Sequence, residues 1–106
     1  MDGDAFVAWR DDGDPAVVRL VGELDLAGVP RLLSALAGLD GDVELDCSGV
    51  DFIDAAGLTA FMRTHNACAA RGSKLIVVDA SPAVDRLLRL VELDAVLHIR
   101  RNGDAA

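Results

Sequence analysis

The chain has 106 residues, 52% of them apolar, which suits one globular domain of ordinary size and leaves no room for a second. Ten Lys and Arg stand against eighteen Asp and Glu, a formal charge of −8, so phosphate backbones and anionic lipid heads would repel it, and nucleic acid and membrane are not expected partners. No apolar run approaches the ~20 residues of a membrane span, and Met1-Asp2-Gly3-Asp4 lacks the basic-then-apolar order of a signal peptide, so a soluble, cytoplasmic protein is expected.

In chain order, Ala5-Phe6-Val7-Ala8-Trp9 and Ala16-Val17-Val18-Arg19-Leu20-Val21 flank Asp11-Asp12-Gly13-Asp14-Pro15, whose Asp, Gly and Pro favour a reversal and predict a β-hairpin. After Gly22-Glu23-Leu24-Asp25 the period changes. Val29, Leu32, Leu33, Leu36 and Leu39 recur at helical spacing with Pro30 in the first turn, which predicts a helix over about 27–37. Val43-Glu44-Leu45-Asp46-Cys47 alternates apolar with acidic, a strand with one fully covered face. Ser48-Gly49-Val50-Asp51-Phe52-Ile53 reads as a loop leading to Asp54, and Leu58, Phe61, His65, Cys68 and Gly72 then fall on one stripe of a helix over about 55–71. A short branched run, 74–78, predicts a strand. Ser81-Pro82 starts a third helix with Val84, Leu87, Leu88 and Val91 as its buried stripe, and 95–99 reads as the last strand. The order β-β-α-β-α-β-α-β calls for a single α/β domain with a core over about 5–99 and a polar tail at 100–106. Its mixed sheet has about five strands, the later ones parallel, with helices packed on it.

The segment from Asp46 to Leu58 brings Asp46, Asp51 and Asp54 to one end of the sheet, where ligands bind in such folds. Three carboxylates are the right chemistry for a hard cation, but a loop separates Asp46 from Asp54 and no second ligand geometry is fixed, so no metal is assigned. Local chemistry accounts for Asp54 as a helix N-cap, worth ~1 kcal/mol, and for Asp46 as an Asx side chain bonding loop N–H groups around Gly49. A hydrolase is disfavoured because His65 lies over ~10 Å down its helix from Ser48 and Asp54; it reads as a core-facing histidine with a satisfied ring nitrogen, and His98 has no role. Cys47 and Cys68 sit at levels ~16 Å apart, beyond disulfide reach, and read as buried apolar residues. The cysteines and histidines form no zinc or haem signature, and no cofactor is expected. Trp9 reads as core or edge packing.

Three segments together resemble the STAS domain of bacterial anti-sigma factor antagonists: Gly22-Glu23-Leu24-Asp25, Asp46-x-Ser48-Gly49-Val50-x-Phe52-Ile53-Asp54-x-x-Gly57-Leu58, and Ser81-Pro82-Ala83-Val84-x-x-Leu87-Leu88. The resemblance spans nearly the whole chain. It implies a STAS fold and a non-catalytic module that binds an anti-sigma factor of the histidine-kinase-like ATPase fold, freeing the sigma factor it sequesters. In the family that kinase inactivates its antagonist by phosphorylating a serine directly after the aspartate corresponding to Asp54. Here Ala55 and Ala56 replace that serine and the Ser or Thr after it, so the chain resembles a permanently unphosphorylated antagonist. The implied docking surface centres on Asp54, Ala55, Ala56, Gly57 and Thr59, with Asp25, Ser48 and Ser81 at its margin. Asp25 corresponds to a family aspartate near the phosphorylation site, and equally caps the first helix as a loop residue. Ser48 and Thr59 are the hydroxyls left to serve as a substitute acceptor, against the commoner role of backbone-bonded or solvent-facing groups. The family often continues with a helix after the last strand, for which 100–106 is too short and polar, and a monomer or weak dimer is expected. Two alternatives stay open: a non-phosphorylatable scaffold subunit of a signalling or transporter complex, and a domain sensing a nucleotide or other small ligand.

Overall fold

The computed structural model describes residues 6–101. Its strands are β1 (Phe6–Asp11), β2 (Ala16–Leu24), β3 (Val43–Ile53), β4 (Leu75–Val78) and β5 (His98–Arg100); its helices are α1 (Val29–Leu36), α2 (Ala55–Ala70) and α3 (Pro82–Leu90). One sheet holds the strands in the order β1-β2-β3-β4-β5. The β1–β2 pair is antiparallel and every later pair parallel, as the sequence order demands. The expected hairpin is present, and the part of it at Ala5 lies outside the described residues.

Each helix joins a strand to the next parallel neighbour in the same direction across the sheet, and right-handed crossovers then place all three helices on one face. The core shows this arrangement. Alternate strand residues Val18, Leu20, Val43, Leu45, Cys47, Leu75 and Val77 form one buried cluster with Leu32 of α1, Phe61 of α2, and Val84 and Leu88 of α3. The intervening Glu44, Asp46, Ile76 and Val78 stay half-exposed on the other face. Alternation in β3 thus separates a covered face from an open one.

Caps set the helix boundaries. Pro30 and Pro82 occupy first turns, where a missing N–H costs nothing, and the Ser81 hydroxyl accepts from the Val84 N–H at 3.3 Å. At the end of α2, Gly72 adopts φ 79° while the Gly72 and Ser73 N–H groups return to the carbonyls of Ala69 and Cys68. Gly72 therefore terminates the helix instead of extending its apolar stripe.

Four sequence expectations are corrected. Ser48–Ile53 is not a loop: β3 continues to Ile53, because β2 runs on to Leu24 and pairs with it through two register shifts. The last strand is shorter and later than expected, since Leu93–Ala95 forms a 3₁₀ turn and β4 offers only Ile76, Val77 and Val78 as partners for β5. Of the two readings of Trp9, core packing is overturned: the side chain is 55% exposed on the open side of edge strand β1, in antiphase to inward Phe6 and Ala8. Val91 lies beyond α3 as its C-cap and is exposed.

Candidate functional site

The ends of β2 and β3 are tied together where Leu24 pairs with Ile53 and the Leu24 carbonyl accepts from the Asp54 N–H at 3.3 Å. Asp54 has extended backbone, and one carboxylate oxygen accepts from the N–H groups of Ala56 at 3.0 Å and Gly57 at 3.1 Å. It is the expected N-cap, and its charge complements the positive end of the α2 dipole. Gly57 is buried against the strand ends. A Cβ there would lie 2.8 Å from the Ile53 Cγ1, 2.8 Å from the Leu24 carbonyl oxygen and 2.9 Å from the Leu24 Cγ. Hydrogen bonds and this close approach press the first turn of α2 onto the sheet edge, while Leu58, Ala60 and Phe61 are buried beneath it.

The upper side of that turn is small and apolar. Ala55 is exposed, Ala56 half-buried and Thr59 exposed. Thr59 Oγ1 donates to the Ala55 carbonyl at 2.9 Å, so the hydroxyl turns back along the helix. Asp25 stands next to this turn in the chain after Leu24, and its Oδ1 accepts from the Gly28 N–H at 3.1 Å while its carbonyl accepts from Gly28 and Val29. Asp25 closes the turn that leads into α1, whose N-cap is Gly28 with no side-chain cap hydrogen bond.

Not all of the expected surface converges. Ser48 is exposed but sits on β3, where its N–H at 3.0 Å and Oγ at 2.7 Å both donate to Asp46 Oδ1. This is the expected Asx behaviour of Asp46, directed at Ser48 and not at Gly49. Ser81 is buried at the foot of α3, its hydroxyl engaged as a cap, so it offers almost no surface to a partner. Sequence reasoning missed a groove of about 210 Å³ between α1 and α2, formed by Leu26, Val29 and Leu33 on one wall and Ala56, Thr59 and Arg63 on the other. Leu26 is 74% exposed, which no period reveals because it lies in a turn. Leu33 falls just off the stripe that Leu32 and Leu36 direct inward.

Other candidate groups lie elsewhere. His65 faces the ring of His98 at a centroid distance of 6.0 Å, and its Nδ1 is buried with no hydrogen-bond partner among the described residues, which corrects the expected satisfied nitrogen. Cys47 and Cys68 are free and buried, and burial, then the Asp46 carboxylate, pushes the Cys47 thiol far up. Among the described residues no group of three or more His, Cys, Asp or Glu could hold a metal ion, and no helix is long and apolar enough to cross a membrane. The arrangement presents a rigid helix start with small side chains, bordered by an acidic turn and an apolar groove.

Comparison with known proteins agrees with this geometry. A family model described as "Mlab, STAS domain" matches residues 7–99. Among solved structures, an anti-sigma factor antagonist from Mycobacterium paratuberculosis is similar at a TM-score of 0.80 and 24% identity, over 92% of this chain and 86% of that one. The anti-sigma factor antagonist SpoIIAA in its unphosphorylated form is similar at a TM-score of 0.72 and 20% identity, over 90% and 87% of the two chains. At these identities the likeness is one of fold. No curated protein gives a significant match.

Proposed function

The chain belongs to the STAS domain family, and we propose that within it the protein is an anti-sigma factor antagonist held in the binding-competent state. It docks through the first turn of α2 to an anti-sigma factor of the histidine-kinase-like ATPase fold, and so releases a sigma factor. The observation that carries this reading is the chemistry of that turn. Ala55 stands exposed directly after the capping Asp54, at the position to which the resemblance assigns the family's phosphoserine, and the nearby hydroxyls of Ser48 and Thr59 are bonded to Asp46 and to the Ala55 carbonyl.

The physical logic follows from residue size and charge. A phosphate at this helix start would add nearly two negative charges and a hydration shell. The helix dipole and free N–H groups would tolerate it, whereas a partner surface shaped to a methyl group would not. With alanine the surface stays small and neutral. The surrounding chain, at a formal −8, favours a partner with a basic patch and gives association rates that fall with salt.

The test is incubation of the protein with purified anti-sigma factors of its own genome and ATP, followed by intact mass and binding. Unchanged mass with a persistent complex supports the reading. A phosphate on any residue that abolishes binding overturns it. The same alanine pair fits a second reading, a non-phosphorylatable scaffold subunit of a larger assembly. Co-purification with a stable complex that lacks any ATPase-fold anti-sigma factor would favour that reading.

A further inference from the structure

The sheet face opposite the helices carries a pattern that docking through α2 does not use. Strand register places Trp9, Arg19, Asp46, Val78 and Arg100 side by side in one row across the five strands. Parallel strands are ordinarily covered on both faces, yet here β2, β3, β4 and β5 leave this face open. Trp9, Val17, Arg19, Val21 and Asp46 line a broad depression of about 580 Å³ on it. The Arg19 side chain is exposed and has neither an ion pair nor a hydrogen bond among the described residues. Its neighbour Asp46 uses Oδ1 for Ser48, and its second oxygen has no bond among the described residues. Read across the four strands from β1 to β4, the row is apolar, positive, negative, apolar.

We propose that this face is a homodimer interface, two copies of the chain stacking sheet on sheet about a two-fold axis that runs along the strands between β2 and β3. That operation lays β2 over β3 of the second copy and β1 over its β4. Arg19 then meets Asp46 of the second copy, Asp46 meets Arg19, and Trp9 meets Val78, so the row is complementary to itself as an isologous contact requires. Sheets stack ~10 Å apart, a gap filled by an Arg with an Asp or a Trp with a Val. The four strands that overlap, β1 to β4, at ~4.8 Å spacing and up to ~20 Å length give each copy a footprint of at most about 380 Å², roughly 770 Å² buried in the pair. This is below the ~1,000 Å² of a stable specific interface, and the dimer is accordingly a weak, transient one that forms only at high protein concentration. The α2 docking turn lies in the helix layer and stays free in both copies.

Trp9 is the sole tryptophan of the chain, so its emission reports on this face alone. Sedimentation and Trp9 fluorescence of the full chain, taken together from roughly 5 µM to 1 mM, test the proposal. The expected result is a rise from monomer to dimer mass with a parallel blue shift of emission. Arg19→Asp, at an exposed residue without side-chain partners among the described residues, abolishes the rise, and Trp9→Ala weakens it at least tenfold. An equimolar mixture of Arg19→Asp and Asp46→Arg restores a dimer, because both central positions of one row are then acidic and both of the other basic. A chain that stays monomeric through ~1 mM, a dimer with unshifted Trp9 emission, or a dimer indifferent to Arg19→Asp overturns it. Should Asp46→Arg fail to fold for want of its bonds to Ser48, the wild-type fluorescence and Arg19→Asp decide the question alone.

Discussion

Gly57 is the point at which the position of α2 depends on the absence of a side chain, and Gly57→Ala therefore measures how tightly the first turn of α2 is held. The added methyl would sit 2.8 Å from both the Ile53 Cγ1 and the Leu24 carbonyl oxygen, and 2.9 Å from the Leu24 Cγ. Ordinary contacts begin several tenths of an ångström further out. The Ile53 and Leu24 side chains are in the packed core, and the Leu24 carbonyl is pinned by the Asp54 N–H, so relief requires α2 to lift. Overpacking of this kind costs about 1–3 kcal/mol. Alanine regains up to about 1 kcal/mol of helix propensity over glycine, less in a first turn. A net loss of about 1–2 kcal/mol is expected. In urea, with a slope of about 1–2 kcal/mol per molar for a chain of this size, that lowers the midpoint by roughly 1 M. Thr59→Ala on the exposed face of the same turn is the control and should move the midpoint by no more than ~0.5 kcal/mol equivalent. A Gly57→Ala protein as stable as the wild type would mean that α2 is not pressed against the strand ends, and the shape argued for the docking surface would be wrong.

Further outcomes follow from the same structure. Asp54→Ala, which removes the acceptor for two N–H groups, should cost about 1–2 kcal/mol, and Asp54→Asn should recover most of that; equal melting curves for the two variants would refute the capping role. Neither Cys47 nor Cys68 should react with a thiol reagent in the folded protein within minutes, and rapid double labelling would contradict their burial. Arg101, hydrogen-bonded to Asp85 at 2.6 Å, together with Arg89 holds that carboxyl below the usual carboxylate range. A depressed folded pKa gives stability that is present above the unfolded value near ~4 and lost as pH falls through the folded one. Arg101→Ala should raise the Asp85 pKa in an NMR titration, and an unchanged titration would disprove the pairing.

How far the sequence reaches depends on which signals are local. Helical spacing, Pro30, Ser81-Pro82 and Asp54 locate three helices and their caps because each signal acts within one turn of chain. The upper half of β3 has no such signal: Gly49 and the adjacent exposed Asp51 and Phe52 break the alternation, and the segment is a strand because β2 pairs with it across two register shifts. The apolar run before His98 looks like a strand, but Val96 is exposed and the chain turns there before meeting β4. At the site, Asp54, Ala55, Ala56 and Gly57 are legible as neighbours in one motif. Ser48 and Ser81 share that motif set yet face the open sheet side and the core, because strand phase and cap burial decide which way a side chain points. Leu26, Leu33 and Arg63 become neighbours only when α1 packs beside α2, a tertiary event with no sequence period.

The central claim is that a small, uncharged first turn of α2 is what an anti-sigma factor grips, and Ala55→Asp tests it most directly. An acidic residue at the start of a helix favours folding by about 0.3–1 kcal/mol, so this variant alters the surface without loosening the fold. Calorimetric titration with the anti-sigma factor that binds the wild-type protein should show at least a tenfold loss of affinity for Ala55→Asp with an unchanged or higher melting temperature. Wild-type affinity in the presence of that carboxylate would contradict the account.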